Sequence, residues 1–125
     1  MPTVLICDDA IFMRTMVGDI LQRAGFEVVG EADTGAQAVE QYKRLKPDLV
    51  TMDIVMPDMG GIEAIRRIRA TPGRERLPIV VMSAESETEG RGVAGGSDGY
   101  LAKPVDAGAL IAVVRRWLPA ADADA

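Results

Sequence analysis

The chain has 125 residues, a formal net charge of −5 and a hydrophobic content of 48%. That length suits one domain with a single core, and the acidic balance argues against direct nucleic-acid binding. No apolar run nears the roughly 20 residues that cross a bilayer, and no secretory pattern opens the chain. A cytoplasmic protein with no membrane insertion is therefore expected. The chain holds no histidine, so it can form neither a histidine-ligated zinc site nor its own phosphohistidine.

Short apolar runs alternate with helical periods from end to end. Thr3 to Cys7 reads as a buried strand, and Cys7, the single cysteine, as a small core hydrophobe within it. Met13, Met16, Val17, Ile20, Leu21 and Ala24 then recur at three- and four-residue steps, with Gly25 as a C-cap. A second strand is expected over Phe26 to Gly30. Ala38, Val39, Tyr42 and Leu45 mark a second helix, which Pro47 stops. Asp48 to Asp53 reads as the third strand, and Ile62, Ile65 and Ile68 as a third helix, closed by Thr71-Pro72-Gly73. Leu77 to Met82 and Gly99 to Ala102 are the fourth and fifth strands. Leu110, Val113, Val114 and Trp117 mark the last helix.

This alternation predicts βαβ units, right-handed crossovers and a parallel sheet with helices on both faces. The crossover between the fourth and fifth strands carries Gly90, Gly92, Gly95 and Gly96. Each glycine inside a helix costs about 1 kcal/mol relative to alanine, so the fourth helix is expected to be short or irregular. Residues 119–125 read as a flexible tail.

Charged residues stand where the strands stop. Asp8 and Asp9 follow the first strand, Asp53 closes the third, and Lys103-Pro104 follows the fifth. In an open parallel sheet the carboxyl ends of the strands line one crevice, where ligands bind. Three carboxylates gathered there repel one another unless a cation joins them. Mg²⁺ suits such a set, because it prefers oxygen ligands and keeps places for water and phosphate. Asp53 could then act as a nucleophile and form an acyl phosphate, with Lys103 neutralising charge on the transferring group. Each residue also has a plainer reading. Asp8 or Asp9 could cap the first helix, and Asp53 or Lys103 could be an ordinary surface charge. Ser83, after the fourth strand, could donate to a phosphoryl oxygen or cap a turn.

Taken together, Asp8-Asp9, Asp53 with Met56-Pro57-Asp58-Met59-Gly60-Gly61, Ser83-Ala84 and Lys103-Pro104 resemble the response regulator receiver domains of two-component signalling. The likeness is strongest to the stand-alone chemotaxis type and covers residues 3 to 118. It implies a five-stranded sheet of order 2-1-3-4-5, an order that periodicity alone does not give. It also implies that Asp53 accepts a phosphoryl group from a sensor histidine kinase or phosphotransfer protein. Asp9, Asp53 and the backbone carbonyl of Val55 would bind Mg²⁺ directly, and Asp8 through a water. Ser83 and Lys103 would contact the phosphoryl oxygens. Ser83 and Tyr100 would form the switch that reshapes the face of the fourth helix, fifth strand and last helix for a downstream protein. A monomer is expected; the peptide before Pro104 is cis in the family pattern, a feature that sequence by itself does not show.

Two departures from the family pattern stand out. The glycine-rich crossover borders the usual output face; it is expected to be mobile without phosphate and partly ordered by a partner. Val55, two residues past Asp53, cannot position an attacking water, which leaves Glu85 or unassisted hydrolysis. Competing readings are a flavodoxin-like cofactor binder, an aspartate-nucleophile phosphatase, a receiver cut from a larger regulator or hybrid kinase, and a phosphate-sink or unphosphorylated adaptor. The flavodoxin-like reading is weakened by two aspartates where a phosphate loop belongs. The phosphatase reading is weakened by Val55 standing where a second acid is usual.

Overall fold

The computed structural model describes residues 1–72, 77–84 and 96–118. The expected irregular helix and Glu85 fall in residues 85–95 and the tail in 119–125, so all three lie outside the described residues.

Five strands form one parallel sheet: β1 (Thr3–Cys7), β2 (Glu27–Ala32), β3 (Leu49–Asp53), β4 (Ile79–Ser83) and β5 (Gly99–Ala102). Their order is β2-β1-β3-β4-β5, as the resemblance implies. The described helices are α1 (Ile11–Arg23), α2 (Gly35–Leu45), α3 (Gly61–Arg69) and α4 (Ala107–Trp117).

Alternation along the central strands divides the core in two. Leu5, Cys7, Val50, Met52, Ile79 and Val81 point to the face covered by α2 and α3, where Ala38, Tyr42, Ala64, Ile65 and Ile68 are buried. Val4, Ile6, Leu49, Val80 and Met82 point to the other face, against Val17 and Leu21 of α1 and Leu110 and Val114 of α4. Both faces of β1, β3 and β4 are therefore apolar, which is why their sequences are nearly unbroken hydrophobic runs. Helices of nine to thirteen residues are marginal in isolation, so this burial is what holds them.

Several boundaries differ from the sequence reading for identifiable reasons. β2 begins one residue later than expected and runs on to Ala32. It is an edge strand, and the half-exposed Gly30 and exposed Glu31 that precede buried Ala32 hide its end. β4 includes Ser83, because its pairing with Ala102 continues the ladder past the apolar run. Gly25 follows the C-cap Ala24 with φ 96°, a left-handed conformation that suits glycine.

The amino ends of the strands are tied away from the crevice. Arg69 at the end of α3 donates to the Leu77 carbonyl at 2.6 Å, to the Gly96 carbonyl at 2.8 Å and to Asp98 Oδ2 at 2.6 Å. Asp98 Oδ2 also accepts the Ile79 amide at 2.9 Å, and the Asp98 amide donates to the Ile79 carbonyl.

One polar group in the core is left over. Thr51 on β3 is fully buried, and its hydroxyl has no hydrogen-bond partner among the described residues. A buried unsatisfied hydroxyl carries a desolvation penalty. Thr51→Val is therefore expected to stabilise the protein by about 1 kcal/mol. Urea unfolding would show a higher midpoint at unchanged slope; a lower midpoint would mean that the hydroxyl is satisfied in solution.

Candidate functional site

Parallel register brings the charged residues to one edge. Cys7 pairs with Met52, so Asp8 and Asp53, each the next residue, leave the sheet side by side. Asp53 pairs with Met82 and Ser83 with Ala102, which sets Ser83 and then Lys103 beside them. The Lys103 amide donates to the Ser83 carbonyl at 2.8 Å, extending the β4–β5 ladder into the crevice. The Lys103–Pro104 peptide is cis.

Asp8, Asp9 and Asp53 each offer a carboxylate oxygen within 4.8 Å of the others. Asp8 is 1% exposed and Asp53 6%, whereas Asp9 is open to solvent. The Lys103 ammonium lies 3.0 Å from Asp8 Oδ2 and 3.4 Å from Asp53 Oδ1. One lysine thus pairs with two of the three acids, and the balance shows in the protonation of Asp53 and of Lys103 itself. Burial first, and then the charge of Asp8, push the Asp53 carboxyl above the usual carboxylate range; Lys103 and a backbone hydrogen bond from Val55 pull the other way without prevailing. For Lys103, burial pulls the ammonium down, but its hydrogen bond to Asp8 and the charges of Asp53 and Asp8 together outweigh that and hold it above its ordinary value. A crowded, all-oxygen cluster, two of its three carboxylates buried and its charge incompletely compensated, fits a hard divalent cation such as Mg²⁺.

The capping alternative for the first pair does not hold. The N-cap of α1 is Ala10, and it makes no side-chain cap hydrogen bond. Asp8 Oδ1 instead accepts the Ala10 amide at 2.9 Å, and the Asp8 amide donates to the Ala32 carbonyl at 2.9 Å. Asp8 is thereby locked by its own loop, with its second oxygen turned to Lys103.

Two glycines shape the loop after Asp53. The Gly61 amide donates to the Ile54 carbonyl at 2.8 Å, and a Cβ at Gly61 would collide with the Asp53 carbonyl oxygen. The Gly35 amide donates to the Met59 carbonyl at 2.9 Å, and a Cβ there would collide with that oxygen. The starts of α2 and α3 therefore press directly on the segment that carries Asp53. Val55, in the same loop, is 69% exposed. Ile11 and Phe12 at the start of α1 are exposed as well, within three residues of Asp9 in the chain. Tyr100 is half-buried and packs against the α2–α3 side of the core.

Sequence alone did not single out Arg14, whose Nη1 donates to the Asp8 carbonyl at 2.7 Å. A cation near the start of a helix opposes the macrodipole, and that anomaly was the available signal.

Residues 4–115 match the family described as the response regulator receiver domain. The chain is 42% identical to the chemotaxis protein CheY of Bacillus subtilis, over 92% of this chain and 96% of that protein. It is 45% identical to CheY of Thermotoga maritima, over 81% and 84% of the two chains. Among solved structures, a CheX–CheY complex from Borrelia burgdorferi containing BeF₃ and magnesium superposes with a TM-score of 0.84 at 28% identity, covering 92% of this chain and 87% of that one. The receiver domain of a Pseudomonas aeruginosa sensor histidine kinase, with magnesium coordinated in its active-site cleft, gives 0.85 at 29% identity, covering 94% and 98%.

The raised Asp53 carboxyl has a measurable effect on stability. A carboxyl that ionises less readily when folded favours folding below its unfolded value, near 3.9, and loses that contribution as pH rises through its folded value. At neutral pH, ionised Asp53 is a net cost. Asp53→Asn is therefore expected to raise the thermal midpoint at pH 7 in the presence of EDTA. The gain should shrink to nothing as pH falls below about 4, where the wild-type group is itself protonated. A gain independent of pH, measured by calorimetry across that range, would contradict the charge origin.

Proposed function

The chain belongs to the response regulator receiver domain family, and on that premise we propose that Asp53 takes up a phosphoryl group from a partner's phosphohistidine with the help of the residues around it. The protein is a receiver domain of two-component signalling with CheY relatives, a phosphorylation-activated switch and not a classical enzyme.

The observation that carries the reading is the convergence of Asp8, Asp9 and Asp53 within 4.8 Å beside the Lys103 ammonium. An Asp53 oxygen attacks phosphorus as the P–N bond to the donor imidazole breaks. The nitrogen electron pair returns to the imidazole, and the product is an acyl phosphate on Asp53. Since this chain has no histidine, the donor is another protein or a small phosphodonor. Asp9, Asp53 and the Val55 carbonyl would hold the cation directly, and Asp8 would act through a water. Bound there, Mg²⁺ supplies charge neutralisation to the carboxylates and to the phosphoryl oxygens. Lys103, held protonated by its acidic neighbours, pairs with one phosphoryl oxygen, and the Ser83 hydroxyl donates to another.

Output follows from the placement of Ser83 on β4 next to β5, the strand that carries Tyr100. When Ser83 turns to the phosphoryl group, the Tyr100 ring moves into the vacated space and the face around β5 changes. A coupling of about 1–3 kcal/mol is enough to shift the populations usefully. The signal then passes by protein contact, in a chemotaxis-like pathway, from a cytoplasmic monomer that binds no nucleic acid. Exposed Ile11, Phe12 and Val55 near the crevice suit protein docking.

Intact-mass measurement after incubation with acetyl phosphate and Mg²⁺ tests the chemistry. Wild type should gain one phosphate; Asp53→Asn, and wild type in EDTA, should gain none. Phosphate on the Asn variant would place the acceptor elsewhere. The lifetime of the acyl phosphate offers a second measurement. Val55 presents no group that could orient an attacking water, so Val55→Asn is expected to speed dephosphorylation severalfold. An unchanged decay rate would remove side-chain control from this position.

A further inference from the structure

We propose that Arg14 is a positioning residue for the acidic cluster, with Glu31 as its anchor. The inference rests on the reading of that cluster as a magnesium site.

Arg14 reaches back from α1 and is forked between two partners. Its Nη1 donates to the Asp8 carbonyl at 2.7 Å, and its Nε donates to Glu31 Oε1 on β2 at 2.7 Å. The Arg14 side chain is only 13% exposed. The Asp8 carbonyl belongs to the planar peptide that joins Asp8 to Asp9. Fixing that oxygen fixes the plane from which Asp9 departs.

Asp8 and Asp9 differ in how much else holds them. Asp8 has its amide on Ala32, one oxygen on the Ala10 amide and the other on Lys103. The Asp9 carboxylate is exposed and makes no hydrogen bond or ion pair among the described residues. Only its backbone aims it, and the Arg14 fork is the side-chain contact on that peptide. The placement is electrostatically adverse twice over. A cation in the first turns of α1 opposes the helix dipole, and a cation beside a cation site repels the guest. What arginine provides there is geometry: a rigid planar fork that meets two acceptors at once, which lysine cannot reproduce.

Calorimetric titration of Mg²⁺ into the full chain, comparing variants that keep the charge of residue 14 with one that removes it, separates the two effects. Arg14→Lys keeps the charge and loses the fork. It should weaken Mg²⁺ binding roughly tenfold, the usual scale for losing a supporting group around a metal. Its melting temperature in EDTA should stay near that of wild type, and saturating Mg²⁺ should restore the phosphorylation rate of Asp53. Glu31→Asp keeps the anchor's charge but withdraws its carboxylate from the fork and should weaken binding in the same direction; it carries the test if Arg14→Lys does not fold. Unchanged affinity in both variants would overturn the proposal, as would tighter binding in Arg14→Gln, the result for a merely repelling charge. Wild-type protein that binds no Mg²⁺ would defeat the underlying reading itself, a result visible before any variant is compared.

Discussion

The site depends on electrostatic crowding that the folded chain leaves only partly relieved. The sheet register forces Asp8 and Asp53 out side by side, and the β1–α1 loop adds Asp9. Lys103 offsets part of that repulsion, yet Asp53 remains harder to ionise than a free aspartate. Such an arrangement is poor as a resting structure and good as a receptor. A divalent cation would bring the positive charge that this set of three carboxylates and one ammonium lacks. The same logic explains why the cluster stands at the end of central strands that are buried on both faces. Without strands buried on both faces, the carboxylates would drift apart.

Much of this architecture is legible in the sequence. Central strands buried on both faces leave unbroken apolar runs, so an ionisable residue at the end of one stands out against its neighbours. That contrast exposes Asp53, the Asp8-Asp9 pair and Lys103, and the helical periods locate the four described helices. The resemblance supplies what periodicity cannot, namely the strand order, and it is also the source of the roles proposed for Ser83 and Tyr100.

What stays hidden depends on contacts between distant parts of the chain. The edge strand β2 runs to Ala32 through half-exposed residues, and no hydrophobic pattern marks its end. Whether Asp8 caps α1 is undecidable from sequence, since the cap is set by the path of the loop and not by composition. Arg69 meets Asp98 and Arg14 meets Glu31 across 29 and 17 residues. Such pairs carry no periodic signature, and arginines on helices usually face water. The pressure of Gly61 on the Asp53 carbonyl is equally silent, because a glycine reads first as a turn.

The way β4 and β5 are fastened has a mechanical result. At one end Asp98 grips Ile79 through both backbone and side chain, with Arg69 bracing it. At the other, residue 103 hangs from the carbonyl of residue 83. Strands joined at both extremities behave as a geared linkage and not as two independent fingers. A displacement of the serine backbone would therefore reach the neighbouring lysine directly, through the single hydrogen bond that joins residue 103 to residue 83.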